Sequence, residues 1–488
     1  MQLNELLKKV KIVNVNGDTD ILIAGITSDS RKVEKDYLFV AIKGFNFDGH
    51  KFINDAINRG AAAVIVEEKE SISGEVFLQS CLTKIGVADT RKALAQISHS
   101  FYDEPSNKLK IIGITGTNGK TTTAYFIKSV LETAGFKTGL VGTIVNMIGG
   151  RESPSLLTTP EANDLNSLLH QMYNEGCEYA VMEVSSHSLV LNRVYGLQFS
   201  AAVFTNITSD HLDFHESFEK YFNAKKILFN SLPETSIGIY NLDDKKSANL
   251  ISDTKAKLFS YGKNTNADFR MSDITYDIEG TRFKLKNNEH NYFLSTGLIG
   301  EFNAYNASAA FAVTTSLGIN PKTVVEGIKR TKQVPGRFEV VGSGDKKAIV
   351  DYSHTADSLE KALLALNELV KNQRPIYTVF GCGGNRDKTK RPIMGKIASE
   401  LSANVIVTSD NPRFEEPDSI IKEIVVGIEK QNFIIEPDRE KAIRKAIEDS
   451  EANAVILIAG KGHEPYQEIK GVRKHFSDKE IAEKYLIR

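Results

Sequence analysis

Short apolar runs that stop at glycine or polar clusters alternate with segments in which apolar residues recur every three or four positions. That alternation predicts an α/β protein. In the first hundred residues, Ile21–Ile23, Tyr37–Ile42 and Ala61–Val66 read as short strands among helical stretches. Ser28-Asp29-Ser30-Arg31 and the glycine-bounded stretch Gly44–His50 read as surface turns, and Asp103–Asn107 as a linker. Further on, Tyr179–Val184 and Ala201–Ile207 are continuous apolar runs that end in polar residues, the pattern of strands buried on both faces of a parallel sheet. From about residue 334 the rhythm changes. Ala348–Val350 runs into Asp351-Tyr352-Ser353-His354, and Ile376–Phe380 into Gly381–Asp387. Val405–Thr408 runs into Ser409–Arg413, and Ala454–Ala459 into Gly460–Glu464, with helical patterns at Ser358–Val370 and Glu440–Glu448 between them. Polar groups bunched at strand ends belong at the ligand edge of an open parallel sheet. The predicted fold is therefore α/β in three domains, 1–107, 108–333 and 334–488, with a hinge at Val334–Arg337. The central domain carries a parallel or mixed sheet and the last is Rossmann-like.

Composition changes this picture little. A chain of 488 residues is too long for one core. A formal charge of −1 gives no footprint for nucleic acid or an anionic membrane. No apolar run approaches spanning length, and Met1–Val10 lacks a signal-peptide core, so a cytoplasmic address is expected. Cys81, Cys177 and Cys382 lie far apart, which argues against a disulfide framework or a cysteine zinc site.

The most informative stretch is Ile111-Ile112-Gly113-Ile114-Thr115-Gly116-Thr117-Asn118-Gly119-Lys120-Thr121-Thr122-Thr123, followed by a helical pattern closed by Gly135. It reads as strand, phosphate loop and helix. Backbone N–H groups would converge on phosphate oxygens, Lys120 would offset the β/γ charge, and the Thr121 hydroxyl would ligate Mg²⁺. Ile114 stands where the longer form of the motif has its first glycine, leaving the shorter G-T-x-G-K-T form. Other groups are ambiguous alone. Glu183 ends a buried strand and is either paired or a metal ligand. Asp210-His211-Leu212-Asp213-Phe214-His215 is a metal-like spacing or a satisfied polar loop. Lys225 reads as an ordinary solvated helix lysine and Asp410-Asn411-Pro412-Arg413 as a turn.

Taken in order, Gly116–Thr121, Met182–His187, Asp210–His215, Ala224-Lys225, Pro335–Arg337, Asp351–His354 and Asp410–Arg413 resemble the Mur ligases of peptidoglycan synthesis. The likeness spans Ser28 to Glu464 and is nearest to the members that add diaminopimelate as the third peptide residue. It implies an N-terminal UDP-MurNAc-binding domain, a central P-loop ATPase-like domain and a C-terminal amino-acid-binding domain. It also implies the reaction. ATP phosphorylates the D-glutamate side-chain carboxylate of UDP-N-acetylmuramoyl-L-alanyl-D-glutamate, and the amine of meso-diaminopimelate attacks the acyl phosphate. The chain would act as a monomer on small molecules, without nucleic acid or membrane insertion.

By the same resemblance, Gly116, Thr117, Asn118, Gly119, Lys120, Thr121 and Thr122 hold ATP phosphates, and Asn303 and Asn306 the adenine side. Arg337, Asp351 and His354 reach the nucleotide from across the hinge. Thr121, Glu183, His211 and a carbamylated Lys225 serve Mg²⁺, the carbamate being derived from CO₂. Lys120, Glu183, His211, Lys225, Arg337 and Asp351 form the catalytic set. Ser30, Phe45, Asn46, Phe47, Thr158, Thr159, Ser185 and Arg193 face the UDP-substrate, and Leu191 replaces a glutamine that some relatives place there. Arg386, Asp410, Asn411, Pro412, Arg413, Gly460 and Glu464 face diaminopimelate. A guanidinium at Arg413 would grip the distal carboxylate that lysine lacks. Two enzyme alternatives are a lysine-adding relative and a folylpolyglutamate synthetase-like ligase. A nucleotide switch is a further alternative, although no guanine-reading N-K-x-D is present.

Overall fold

In a computed structural model the described residues are 1–44, 47–68, 82–342, 344–371 and 373–486. Phe45 and Asn46 lie outside them. Among the described residues the strands form sheets of five, eleven and six strands and one separate hairpin.

The N-terminal sheet runs in the order Ile12–Asn16, Thr83–Val87, Ala61–Glu67, Tyr37–Val40, Gly25–Thr27. The expected strand at Ile21–Ile23 is absent: Leu22 makes only an isolated bridge to Gln2. The strand lies four residues later, at Gly25–Thr27, where all three residues are buried and pair with Tyr37–Phe39. Leu22, by contrast, is 66% exposed.

The central sheet is mixed. Its parallel heart is Thr138–Val141, Tyr179–Glu183, Lys110–Thr115, Phe199–Phe204, Ile237–Asn241 and Lys257–Gly262. Antiparallel strands at Val145–Ile148 and Arg151–Pro154 extend one edge; at the other, Phe269–Asp277 joins in parallel and Gly280–Asn287 and His290–Thr296 follow antiparallel. Two apolar cores cover its faces. One packs Phe126, Ile127 and Val130 of the helix Lys120–Thr133 against the buried helix Glu301–Ser316. The other packs the helices Ala162–Asn174 and Phe218–Asn230. Strands so covered must be apolar along their length, which is why these runs are continuous in sequence.

The C-terminal sheet orders Glu339–Val341, Lys347–Asp351, Val455–Ala459, Ile376–Phe380, Asn404–Val407 and Phe433–Ile435, all parallel but the first. Cores on both faces make it doubly wound. The helix Ala356–Val370 starts at a capping box in which the Thr355 hydroxyl accepts from the Ser358 amide. The carboxyl ends of its strands carry the loops at 351–354, 381–387, 409–413 and 460–464, and Arg337 of the hinge reaches Thr121 of the central phosphate loop.

Candidate active site

The strand Lys110–Thr115 feeds the loop Gly116–Gly119, and the helix begins at Lys120. Gly119 has φ +86°, and a Cβ there would lie 2.4 Å from Oδ1 of Asn306. Only glycine allows both the left-handed turn and this approach. Asn306 thus sits directly behind the loop and lines the cavity in front of it, with Asn303 behind: the Asn306 amide donates to Asn303 Oδ1 at 3.1 Å, and the Asn303 amide to the Ile299 carbonyl. Lys120 Nζ donates to the carbonyls of Gly116 and Thr117 at 3.0 and 2.8 Å. Desolvation pushes its pKa down, opposed by Glu183 and Asp210. The Thr117 hydroxyl meets that of Tyr221 at 3.0 Å, and the Asn118 amide donates to Asn206.

Glu183, 1% exposed at its strand end, accepts from the Thr121 hydroxyl at 2.9 Å, the Thr143 hydroxyl at 3.0 Å and the Thr143 amide at 2.8 Å. Its carboxylate is therefore satisfied by short donors and needs no salt bridge. Lys225 is no solvated helix lysine. It is 1% exposed and donates to the Gly116 carbonyl at 2.7 Å. Burial, then Lys120, holds its pKa well below the usual value. His211 lies beside Asp210, 3.4 Å away, and its side chain is 44% exposed to the cavity. Desolvation lowers it to about 4, leaving a neutral imidazole.

The C-terminal sheet supplies the opposite wall. Arg337 stacks on the Tyr352 ring at 4.6 Å and donates to the Thr121 hydroxyl at 3.4 Å. Burial pushes the Asp351 carboxyl up, against donors from Ser353 and the Phe338 amide. His354 is pushed down by burial and its Nδ1 lies 3.0 Å from the Tyr352 carbonyl. The two walls enclose a cavity of about 680 Å³ that Thr117–Thr122, Glu183, His211, Lys225, Asn306, Arg337, Asp351 and His354 all line. Gly116, Asn303, Thr159 and Arg193 stand outside that lining.

Around the cavity rim, Thr158 and Thr143 join hydroxyls at 3.0 Å, and Ser185 caps the helix Ser186–Val190. Thr159 is buried and donates to the Glu183 carbonyl. Arg193 donates to the Thr159 carbonyl and pairs with Glu161 at 2.6 Å, and the same carboxylate faces Arg91 of the N-terminal domain at 3.9 Å. Leu191 ends the helix Ser186–Val190. Ser30 is buried within the N-terminal domain and Phe47 is 74% exposed, so these two do not join the cavity.

The residues read as facing diaminopimelate form a second cluster at the C-terminal strand ends. Asn411 donates to Glu464 at 2.7 Å, and Arg413 donates to the Gly384 carbonyl at 2.9 Å. A Cβ on Gly383 would touch both Arg413 and Arg386, so the two arginines flank one loop. Gly460 lies against Asp410, and Pro412 packs against Gly384. Burial, then Asp410, pushes the Glu464 carboxyl up. Fully buried Lys461 braces the group, its Nζ lying 3.2 Å from Asn411 Oδ1 and 3.5 Å from Glu464 Oε2.

Sequence reasoning missed three residues here. Thr143 holds Glu183 through amide and hydroxyl. Asp357 accepts from Asn118 at 3.0 Å and from Thr208 at 3.2 Å, tying the C-terminal helix to the phosphate loop. Lys461 anchors the amino-acid loops. Of these only Lys461 carried a signal, standing in a glycine-flanked strand-end loop.

Three family models match the chain in succession. They are the Mur ligase family, catalytic domain at residues 22–102, the Mur ligase middle domain at 114–314 and the Mur ligase, glutamate ligase domain at 336–462. The UDP-N-acetylmuramoyl-L-alanyl-D-glutamate–2,6-diaminopimelate ligase of Clostridium perfringens is 45% identical over 99% of both chains. A Clostridium acetobutylicum relative of the same name, numbered 1, is 43% identical over 100% of this chain and 99% of its own. A solved structure of a ligase with that name superposes with a TM-score of 0.70 at 31% identity, covering 100% of this chain and 99% of its own. With its phosphate loop, its facing C-terminal wall and matches along nearly its whole length, the chain belongs to the Mur ligase family.

Proposed function

We propose that this chain joins meso-2,6-diaminopimelate to UDP-N-acetylmuramoyl-L-alanyl-D-glutamate at the expense of ATP, through an acyl phosphate, in peptidoglycan synthesis. The observation that carries the choice of amino acid is that one strand-end face holds both the Arg413 guanidinium, set on the Gly384 carbonyl, and the Glu464 carboxylate, set on Asn411 beside Asp410. Together they complement a substrate tail bearing both a carboxylate and an ammonium. Lysine offers Arg413 no distal carboxylate, and the glutamate that a folylpolyglutamate synthetase adds offers Glu464 no second ammonium, so neither alternative is favoured.

Each role follows from local chemistry. The loop amides and Lys120 receive the ATP phosphates, Asn306 backs the adenine side, and Arg337 adds positive charge from across the hinge. Thr158, Ser185 and Arg193 offer hydroxyls and a guanidinium to the peptidyl carboxylate and amides. Among the described residues no three His, Cys, Asp or Glu side chains group as metal ligands. The donor set is instead the Thr121 hydroxyl and Glu183 carboxylate, 2.9 Å apart, hard oxygens of the kind Mg²⁺ prefers. Bound there, Mg²⁺ would offset phosphate charge and favour attack by the carboxylate. Lys225 fits carbamylation because burial favours its neutral amine, the form that combines with CO₂. The product would set an anionic oxygen donor beside neutral His211.

The proposal includes domain limits at 107/108 and 333/334, between the three sheets, and a monomer in the cytoplasm, where ATP and UDP-sugars are available. No helix among the described residues is long and apolar enough to cross a membrane. The test is ADP release: it should require both the UDP-muramoyl-dipeptide and diaminopimelate. Release with folate and glutamate, or with neither partner, would overturn the reading.

A further inference from the structure

One face of the helix Ala356–Val370 forms part of the C-terminal wall of the cavity. Asp357, Lys361, Leu364, Ala365 and Glu368 recur on it at helical spacing, and the last four line the cavity. The start of the helix meets the phosphate loop, where Asp357 accepts from Asn118 at 3.0 Å. Its far end meets the part of the cavity proposed above for adenine. Glu368 accepts there from the Tyr276 hydroxyl, and Tyr276 lines the cavity together with Phe302, one turn before Asn306. Lys361 stands between the two ends, one turn or about 6 Å along the axis from Asp357. It is the one cation among these five residues. Its Nζ donates to Asp357 Oδ2 at 2.9 Å. That oxygen also accepts from Asn118 and, at 3.2 Å, from Thr208, so three donors crowd an atom with about two lone pairs. The Lys361 side chain is 52% exposed, and an exposed pair four residues apart on a helix is worth little. Its ammonium can therefore leave at small cost while Asn118 and Thr208 keep the carboxylate.

We propose that Lys361 binds the inner phosphates of the nucleotide, those that ADP retains, an inference that rests on the ATP reading above. A nucleotide with its base beside Phe302 and its terminal phosphate at the Gly116–Thr121 loop must run along this helix face, and its inner phosphates pass Lys361. Phosphate oxygens then replace Asp357 as partners of the ammonium, in charge-assisted hydrogen bonds. Arg337, set on the Thr121 hydroxyl, serves the transferred phosphate instead. Because Lys361 comes from the C-terminal domain and the loop from the central one, the inner-phosphate site is complete only with both walls in place.

The test is the affinity of the full-length protein for ADP and for a non-hydrolysable ATP analogue, measured by calorimetry. Lys361→Met should weaken both at least about tenfold, the scale of a hydrogen bond to a charged group. Lys361→Arg should recover most of the loss, and the KM for diaminopimelate should stay within about twofold of wild type in both variants. The same loss should appear when Lys361→Met is made on an Asp357→Ala background, where a lysine that acted only by holding Asp357 would have nothing left to hold. Unchanged ADP affinity, or a loss that vanishes on that background, would overturn the assignment. So would a loss confined to the ATP analogue, which would put Lys361 on the transferred phosphate. Lys361→Gln supplies the same comparison if the methionine variant does not fold. Wild-type protein that binds neither nucleotide would overturn the ATP reading and this inference with it.

Discussion

Asp357, at the first turn of a C-terminal helix, accepts a hydrogen bond at 3.0 Å from the side chain of Asn118 in the middle of the phosphate loop. The same carboxylate oxygen accepts from Thr208, so one side chain of the C-terminal domain grips two loops of the central domain. The relationship ties the C-terminal domain directly to the glycine-rich loop of the central domain. Asp357→Ala should lower kcat/KM for ATP about tenfold, equivalent to about 1.4 kcal/mol and the scale of a hydrogen bond to a charged group. The melting temperature should move little, because the contact joins domains rather than a core. Steady-state kinetics with ATP varied is the check; an unchanged kcat/KM would show that the tie plays no part in turnover.

Lys225 is buried against the Gly116 carbonyl with its amine driven towards neutrality. Lys225→Ala should lose nearly all activity, and acetate or formate should restore part of it by supplying the oxygen donors a carbamate would provide. Wild-type activity should also respond to bicarbonate. Full activity in the alanine variant without added carboxylate would contradict the carbamate assignment.

The C-terminal strand-end loops are braced by an ion pair built on a buried arginine. Arg391, 0% exposed at its side chain, binds Glu415 and Glu423 at 3.0 and 2.8 Å, and Glu415 also receives the Asn385 amide. Hydrogen bonding to Arg391 leads the effects that lower Glu415 to about 2. A depressed carboxyl stabilises the fold above its unfolded pKa near 4.5 and loses that contribution as pH falls towards 2. Urea midpoints should therefore drop between pH 5 and 3, and Glu415→Gln should flatten that slope by on the order of 1–3 kcal/mol. An identical slope in the variant would remove the pair from the account.

The chain shows unevenly how much of this can be read before folding. Ile376–Phe380 is visible because both faces of its sheet are covered, so every residue is buried and nearly all are apolar. Gly25–Thr27 is hidden because a three-residue strand carries too little pattern, and the neighbouring Ile21–Ile23 imitates one. At the site, Lys120 and Thr121 are legible because local spacing dictates their geometry. Lys225 on its own looked solvated: only the tertiary approach of Gly116, 109 residues earlier, buries it. Asp357 and Thr143 carry no local signal, since their partners lie in distant segments. The ordered family motifs supply roles that periodicity cannot.

The central claim is that Arg413, with Glu464, selects an amino acid having both a distal carboxylate and a distal ammonium. ADP release by the wild-type enzyme with UDP-N-acetylmuramoyl-L-alanyl-D-glutamate, comparing meso-diaminopimelate with L-lysine, tests it most directly. The account predicts turnover with diaminopimelate and little with lysine, and an Arg413→Ala variant that loses at least about tenfold in kcat/KM for diaminopimelate, the scale of one charge-assisted contact. Equal use of the two amino acids by the wild type, or unchanged selectivity in the variant, would contradict it.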